Sequence, residues 1–126
     1  MLIDSTVFRD YRVGDAGALN IINQVMDGTI SASISPLTVL NLWSNTHLNR
    51  RQEIGYTGIL NFLHNVPLSQ QAAKQAGVWL SSIPEESRGK LSYFALIAAT
   101  ARENEMAICT RNQELFGKFC SEFIDY

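Results

Sequence analysis

The sequence predicts an α/β domain of three layers, a mostly parallel central sheet flanked by helices. Short apolar runs of strand length alternate along the chain with longer runs of helical spacing. Residues 1–3 are apolar and stop abruptly at Asp4, as a strand buried on both faces in a parallel sheet would. Residues 91–112, LSYFALIAATARENEMAICTRN, read as helix, turn, strand and loop, which is half of a βαβ layer. Ligand sites in such sheets lie at the C-terminal ends of the strands, so Asp4 and the loop at Arg111 and Asn112 are placed where a site would form.

Taken in order, the elements follow from local chemistry. Ser5 or Thr6 is suited to cap a short helix carrying Val7, Phe8 and Tyr11, and Gly14 and Gly17 bracket a turn. Leu19, Ile22 and Met26 have helical spacing, and Gly28 closes that helix. Residues 29–34 read as a second strand. Ser35 and Pro36 then form a helix-start signal, with Pro at the first helical position. The helix LTVLNLWSNTHL is expected to bury Leu37, Leu40 and Trp43, with Thr38, Asn41 and Asn45 on a polar stripe. Arg50 and Arg51 open a further helix through Ile54, Ile59, Leu60 and Leu63, against which Gly55 and Gly58 count. Residues 66–68 suggest a short strand, and Ser69 starts a helix through Ala72, Ala76 and Trp79. Residues 84–90 read as a polar loop. The run from Leu91 to Ala101 is apolar on almost every side, as in a helix buried on most of its surface. Residues 106–110 are the next strand, 114–118 a helical turn and 119–124 a last strand. No repeat, linker or low-complexity segment divides residues 1–126, which are expected to form one domain.

Composition limits the function. Net charge is −2 and the pI about 5.6, so nothing suggests binding a polyanion by bulk charge, and any nucleic-acid contact must come from a local patch. Arg9, Arg12, Arg50 and Arg51 either make such a basic rim or are the ordinary scatter of ten basic residues. Cys109 and Cys120 make no disulfide framework. The N-terminal MLIDSTVF lacks a basic region and a long apolar run, and no segment approaches the roughly 20 apolar residues of a membrane span. The expectation is a cytoplasmic protein with free thiols and no membrane contact. Two alternatives lack their motifs: a receiver-type domain needs paired acids after the first strand and a late Lys, and a Rossmann binder needs a Gly-rich loop.

Several segments together carry a resemblance. LIDSTVF resembles the opening D-[TS]-[NS]-x-[LVF] strand of PIN domains, ISPLTVLNLWS their second strand and helix, and LIAATARENEMAICTRNQELF their last helix, strand and TRN/TRD loop. Order and separation match the short VapC toxins of toxin–antitoxin pairs over nearly the whole chain. The resemblance implies a three-layer PIN-like fold and a metal-dependent ribonuclease, in which acids at the strand ends hold Mg²⁺ or Mn²⁺. The metal activates a water and stabilises charge on the attacked phosphate. It also implies a homodimer and an antitoxin protein that covers the cleft.

Carried over residue by residue, the four acid positions of the family fall on Asp4, Asn41, Phe94 and Asn112, and the hydroxyl two places after the first acid on Thr6. Only Asp4 is acidic and offers itself as a metal ligand, although the family often has Asn at the fourth position. Asp4 also suits a helix N-cap. A unit charge pair at 4 Å is worth about 4 kcal/mol at an effective dielectric of 20, so losing carboxylates should weaken metal binding severely. Asp10, Asp15, Glu53 and Glu114 are the acids from which replacements would have to come. Phe94 is expected to pack or to plug the old site. Arg111 has a fork suited to substrate phosphate, or to a carboxylate such as Glu114. His47 and His64 are expected at the surface, Cys109 in the core, and Trp43 and Trp79 in packing. The resulting expectation is a PIN fold with a degenerate acidic site and weak or lost catalysis, acting by RNA or protein binding. The alternative is an active Mg²⁺- or Mn²⁺-dependent endonuclease of single-stranded RNA.

Overall fold

The computed structural model describes residues 1–44, 47–120 and 122–126. In chain order the elements are β1 (Leu2–Ile3), α1 (Ser5–Arg12), α2 (Ala16–Met26), β2 (Ser33–Ile34), α3 (Pro36–Ser44), α4 (Arg50–Leu60), β3 (His64–Asn65), α5 (Gln70–Ser81), α6 (Glu85–Glu103), β4 (Ile108–Cys109), α7 (Gln113–Phe116) and β5 (Phe123–Ile124). The five strands form one parallel sheet in the order β3-β2-β1-β4-β5. The α/β class with a central parallel sheet is therefore what the chain adopts.

The layers follow from the alternation of side chains across a strand. In β1, Leu2 packs with Ile97, Ala98 and Ala101 of α6 on one face, while Ile3 packs with Val7, Phe8, Ala18 and Ile22 of α1 and α2 on the other. In β4, Ile108 joins the Leu2 side and Cys109 the Ile3 side. All four strand residues are fully buried. Burial pushes the Cys109 thiol up to about 12, with the negative charge of Asp4 adding to it, so Cys109 is an inert core residue as expected.

Several boundaries differ from the sequence reading. Only Ser33 and Ile34 pair within 29–34, because Gly28 at φ 82° ends α2 in a left-handed turn and Asp27 then bonds the Thr29 amide at 2.8 Å. Gly17 lies inside α2 rather than in a turn, whereas Gly14 takes φ 82° and does turn the chain. Asp4, and neither Ser5 nor Thr6, is the N-cap of α1. Leu40 is 63% exposed, while Leu42 and Thr38 are buried, so the apolar face of α3 is rotated from the one expected. Asn45 of the expected polar stripe lies outside the described residues. α4 forms despite Gly55 and Gly58, helped by a reciprocal capping box between Asn49 and Gln52. The short strand falls at His64–Asn65 rather than at 66–68, with Val66 buried just after it.

The largest correction is at 84–90. These residues are the first turns of α6, which starts directly after Pro84 with Glu85 and Glu86 at its positive end. Arg88 reaches back to bond the carbonyls of Leu80 at 3.1 Å and Ile83 at 3.0 Å, so it caps the end of α5 as the chain reverses. His47 and His64 are exposed. Trp43 meets the Tyr56 ring edge-on at 6.1 Å, and Trp79 stacks on Phe119 at 5.7 Å.

One close approach fixes the edge of the fold. A Cβ at Gly17 would stand 2.5 Å from the carbonyl carbon of Tyr126 and 3.1 Å from Nη2 of Arg111. Gly17→Ala should therefore lower stability by about 1–3 kcal/mol, the usual cost of forced overpacking, with a lower urea midpoint as the readout.

Candidate functional site

At the C-terminal end of the parallel sheet lies Asp4, which follows the central strand β1 and is fully buried. Because β1 and β4 run parallel in register, the residue after each strand lies beside its neighbour, and Thr110 follows β4 as Asp4 follows β1. Thr110 Oγ1 donates to Asp4 Oδ2 at 2.8 Å. Thr6 donates to the same oxygen through its hydroxyl at 3.1 Å and its amide at 3.4 Å. Tyr93 Oη, from α6, donates to Asp4 Oδ1 at 2.8 Å, and the Ser5 hydroxyl lies 3.5 Å from that oxygen. Five donors thus surround one carboxylate, and four of them are hydroxyls. A buried charge is tolerated when hydrogen bonds replace its lost hydration.

Behind this ring lies Thr38 of α3, also fully buried, with Oγ1 3.2 Å from Tyr93 Oη. Since the Tyr93 proton is directed at Asp4, Thr38 donates to the phenol oxygen. Burial raises the Tyr93 phenol well above its ordinary value, and the Asp4 charge raises it further, so Tyr93 stays protonated. Asn112 donates its amide to Thr110 Oγ1 at 2.9 Å and stands at the N-cap position of α7, where its side chain makes no capping bond. Among the described residues, no buried side-chain nitrogen or oxygen is left without a partner.

The sequence-predicted residues fall into three places. Asp4 and Thr6 meet in the buried ring, with Asn112 at its edge through its backbone. Asn41 is half-buried on α3 and accepts from Arg9 Nη2 at 2.6 Å, so a guanidinium stands against that amide. Phe94 turns its ring to Phe116 at 5.0 Å and to the Tyr93 ring at 5.4 Å, both edge-on. Arg111 pairs with Asp15 through two bonds, 2.7 and 3.0 Å, and with Asp10 at 3.4 Å, rather than with Glu114. Its second terminal nitrogen also bonds the Tyr126 main-chain oxygen at 2.7 Å, and the guanidinium lies 4.2 Å above the Tyr126 ring. Tyr126 Oη closes the set on Asp10 at 2.6 Å.

Tyr93 and Thr110 escaped the sequence reading. The available signal for Thr110 was a hydroxyl ending an apolar strand beside the first; for Tyr93 it was the phenol near the start of an otherwise apolar helix.

The donor set around Asp4 does not suit a divalent cation as it stands. Mg²⁺ and Mn²⁺ take carboxylate, carbonyl or water oxygens, whereas Asp4 is met by neutral hydroxyls that spend their protons on it. Among the described residues, no three His, Cys, Asp or Glu side chains gather to hold a metal. Of the acids considered as replacements, Asp10 and Asp15 are drawn together by Arg111.

Against known proteins, no family model matches the sequence and no curated protein is similar to it. Solved structures do match in fold. VapBC2 from Rickettsia felis, bound to a DNA fragment from their promoter, superposes with a TM-score of 0.73 at 14% identity, over 99% of this chain and 97% of that one. The fold is PIN-like. A toxin–antitoxin complex from Klebsiella pneumoniae aligns with a TM-score of 0.66 at 21% identity, covering 91% of this chain and 88% of that one. FitAcB from Neisseria gonorrhoeae gives 0.66 at 18% identity, over 93% and 91% of the two chains. Among the described residues, no helix is long and apolar enough to cross a membrane.

Two outcomes follow from this geometry. Asp4→Ala should cost about 1–3 kcal/mol for the buried hydroxyls left unpaired and about 1 kcal/mol for the lost helix cap, read as a lower urea midpoint. At the edge, the Arg111 hydrogen bonds first, and the Ala18 amide second, hold the Asp15 carboxyl below its ordinary value of 3.8. That stabilisation is fully present above the unfolded value and is lost as pH falls through the folded one. The stability difference between wild type and Arg111→Gln should therefore narrow as pH drops below 3.8, in parallel urea titrations.

Proposed function

We propose that this is a PIN-like protein of the VapC toxin type in which nuclease chemistry is weak or lost, and which acts by binding RNA or a partner protein. The observation that carries this reading is the state of Asp4: one buried carboxylate, ringed by hydroxyls, with an amide at Asn41 and an aromatic ring at Phe94. A PIN nuclease needs acids in numbers to hold Mg²⁺ or Mn²⁺ and activate water. The donors here supply neither the charge nor the open coordination sites.

Binding has its own support. Arg9 on Asn41 brings positive charge beside the position where the family has an acid, which suits contact with an anion. The Klebsiella pneumoniae structure similar in fold is a toxin–antitoxin complex, which favours a protein partner of the antitoxin type. Leu40 and Ile54, 63% and 62% exposed, are apolar material for such a contact or for a homodimer. The protein is read as cytoplasmic. The second reading, an active Mg²⁺- or Mn²⁺-dependent endonuclease of single-stranded RNA, rests on the sequence resemblance to VapC toxins.

A fluorogenic RNA incubated with the protein and Mn²⁺ separates the two readings. No metal-dependent cleavage is expected from the wild type; cleavage that disappears in Asp4→Ala would establish the active nuclease instead. In anisotropy titrations with single-stranded RNA, binding should weaken as salt rises, and Arg9→Ala should weaken it further. Failure to hold either RNA or a co-expressed antitoxin-type protein would defeat the binding reading.

A further inference from the structure

We infer that the Tyr93 hydroxyl, not a cation, is the resident partner of the Asp4 carboxylate, and that position 93 rather than 94 is where a second acid would build a metal site. This rests on the reading that metal chemistry is weak or lost, and it names the residue responsible.

Three hydroxyls hold the carboxylate at 2.8–3.1 Å, and two further donors stand at 3.4 and 3.5 Å. Its two oxygens offer about four lone-pair directions, and five donors approach them. The two shortest bonds, both 2.8 Å, come from Tyr93 on Oδ1 and Thr110 on Oδ2. An ion approaching Oδ1 meets the Tyr93 hydroxyl at 2.8 Å and competes with it for that oxygen. That hydroxyl is held from behind: Thr38 donates to it at 3.2 Å, which polarises the phenol and strengthens its own donation to Asp4. The ring is held as well, with Phe94 edge-on at 5.4 Å and Phe116 at 6.4 Å.

The same geometry separates two neighbours in the sequence. The motif pattern puts the family's third acid at Phe94. That ring packs against Phe116 and makes none of the Asp4 contacts, whereas the Tyr93 side chain ends on the carboxylate. Adjacent positions on a helix point about 100° apart, so a carboxylate at 93 and one at 94 meet different surroundings. Only the first starts from the side that already touches Asp4.

Mn²⁺ alone is the probe, followed through the loss of its free-ion electron paramagnetic resonance signal. Wild type should leave that signal unchanged, as should Phe94→Asp. Tyr93→Asp should gain binding, and adding Asp4→Asn to it should abolish the gain. Wild-type binding that Asp4→Asn removes would overturn the proposal, and so would a site created by Phe94→Asp and not by Tyr93→Asp. If Tyr93→Asp does not fold, NMR of the wild type decides: a slowly exchanging hydroxyl proton should appear, be absent in Tyr93→Phe and shift in Asp4→Asn. Lack of that proton in a folded wild type would equally overturn it. Mn²⁺ bound at Asp4 without RNA cleavage would refute this inference and leave the binding function standing. Cleavage dependent on Asp4 would refute that function itself.

Discussion

A carboxylate removed from water governs this structure. Asp4 is fully buried at the end of a two-residue central strand, and it is kept there by hydroxyls drawn from α1, α6 and the end of β4. An uncompensated buried charge would cost several kcal/mol, more than most single interactions in a small domain contribute. Each element that reaches Asp4 is therefore tied to the others through it. The carboxylate also caps α1, so it closes the first βα turn.

The edge of the sheet is organised by a different principle. Arg111 leaves β4 and gathers Asp15, Asp10, the Tyr126 ring and the Tyr126 main-chain oxygen onto one guanidinium. Exposed ion pairs contribute little singly, but a bidentate Arg–carboxylate pair with a stacked ring has the geometry that makes such contacts count. Arg111 joins α2 to the β5 side, while Arg9 stands on Asn41 of α3.

Much of the fold was legible because it depends on local chemistry. The Ala- and Leu-rich run of α6, the Ser69 cap of α5, the Ser-Pro start of α3 and the abrupt stop after Ile3 all carry their signals within a few residues. Residues 84–90 misled because Pro84, two Glu and Gly89 look like a loop, yet Pro before a first turn and acids within it also favour a helix start. Thr29 and Ile30 have strand propensity, but the turn at Gly28 keeps them out of the ladder. Asp4 and Thr6 could be placed from their motif. Tyr93 could not, since it meets Asp4 across a separation of 89 residues, and no periodicity reports which of two adjacent aromatic side chains will reach a distant strand end. The Arg111 partners were missed for the same reason: Asp15 is 96 residues away, and Glu114 was only the nearer acid in sequence.

The pairing of β1 has an implication for how firmly the interior is addressed. Leu2 and Ile3 face opposite layers, and so do Ile108 and Cys109 beside them. A slip of one position would hand each side chain to the wrong core and swing the Asp4 carboxylate away from both Thr110 and Tyr93. Two rungs of backbone thus act as an indexing notch: the oily halves of the molecule and the sequestered carboxylate can be correct only together.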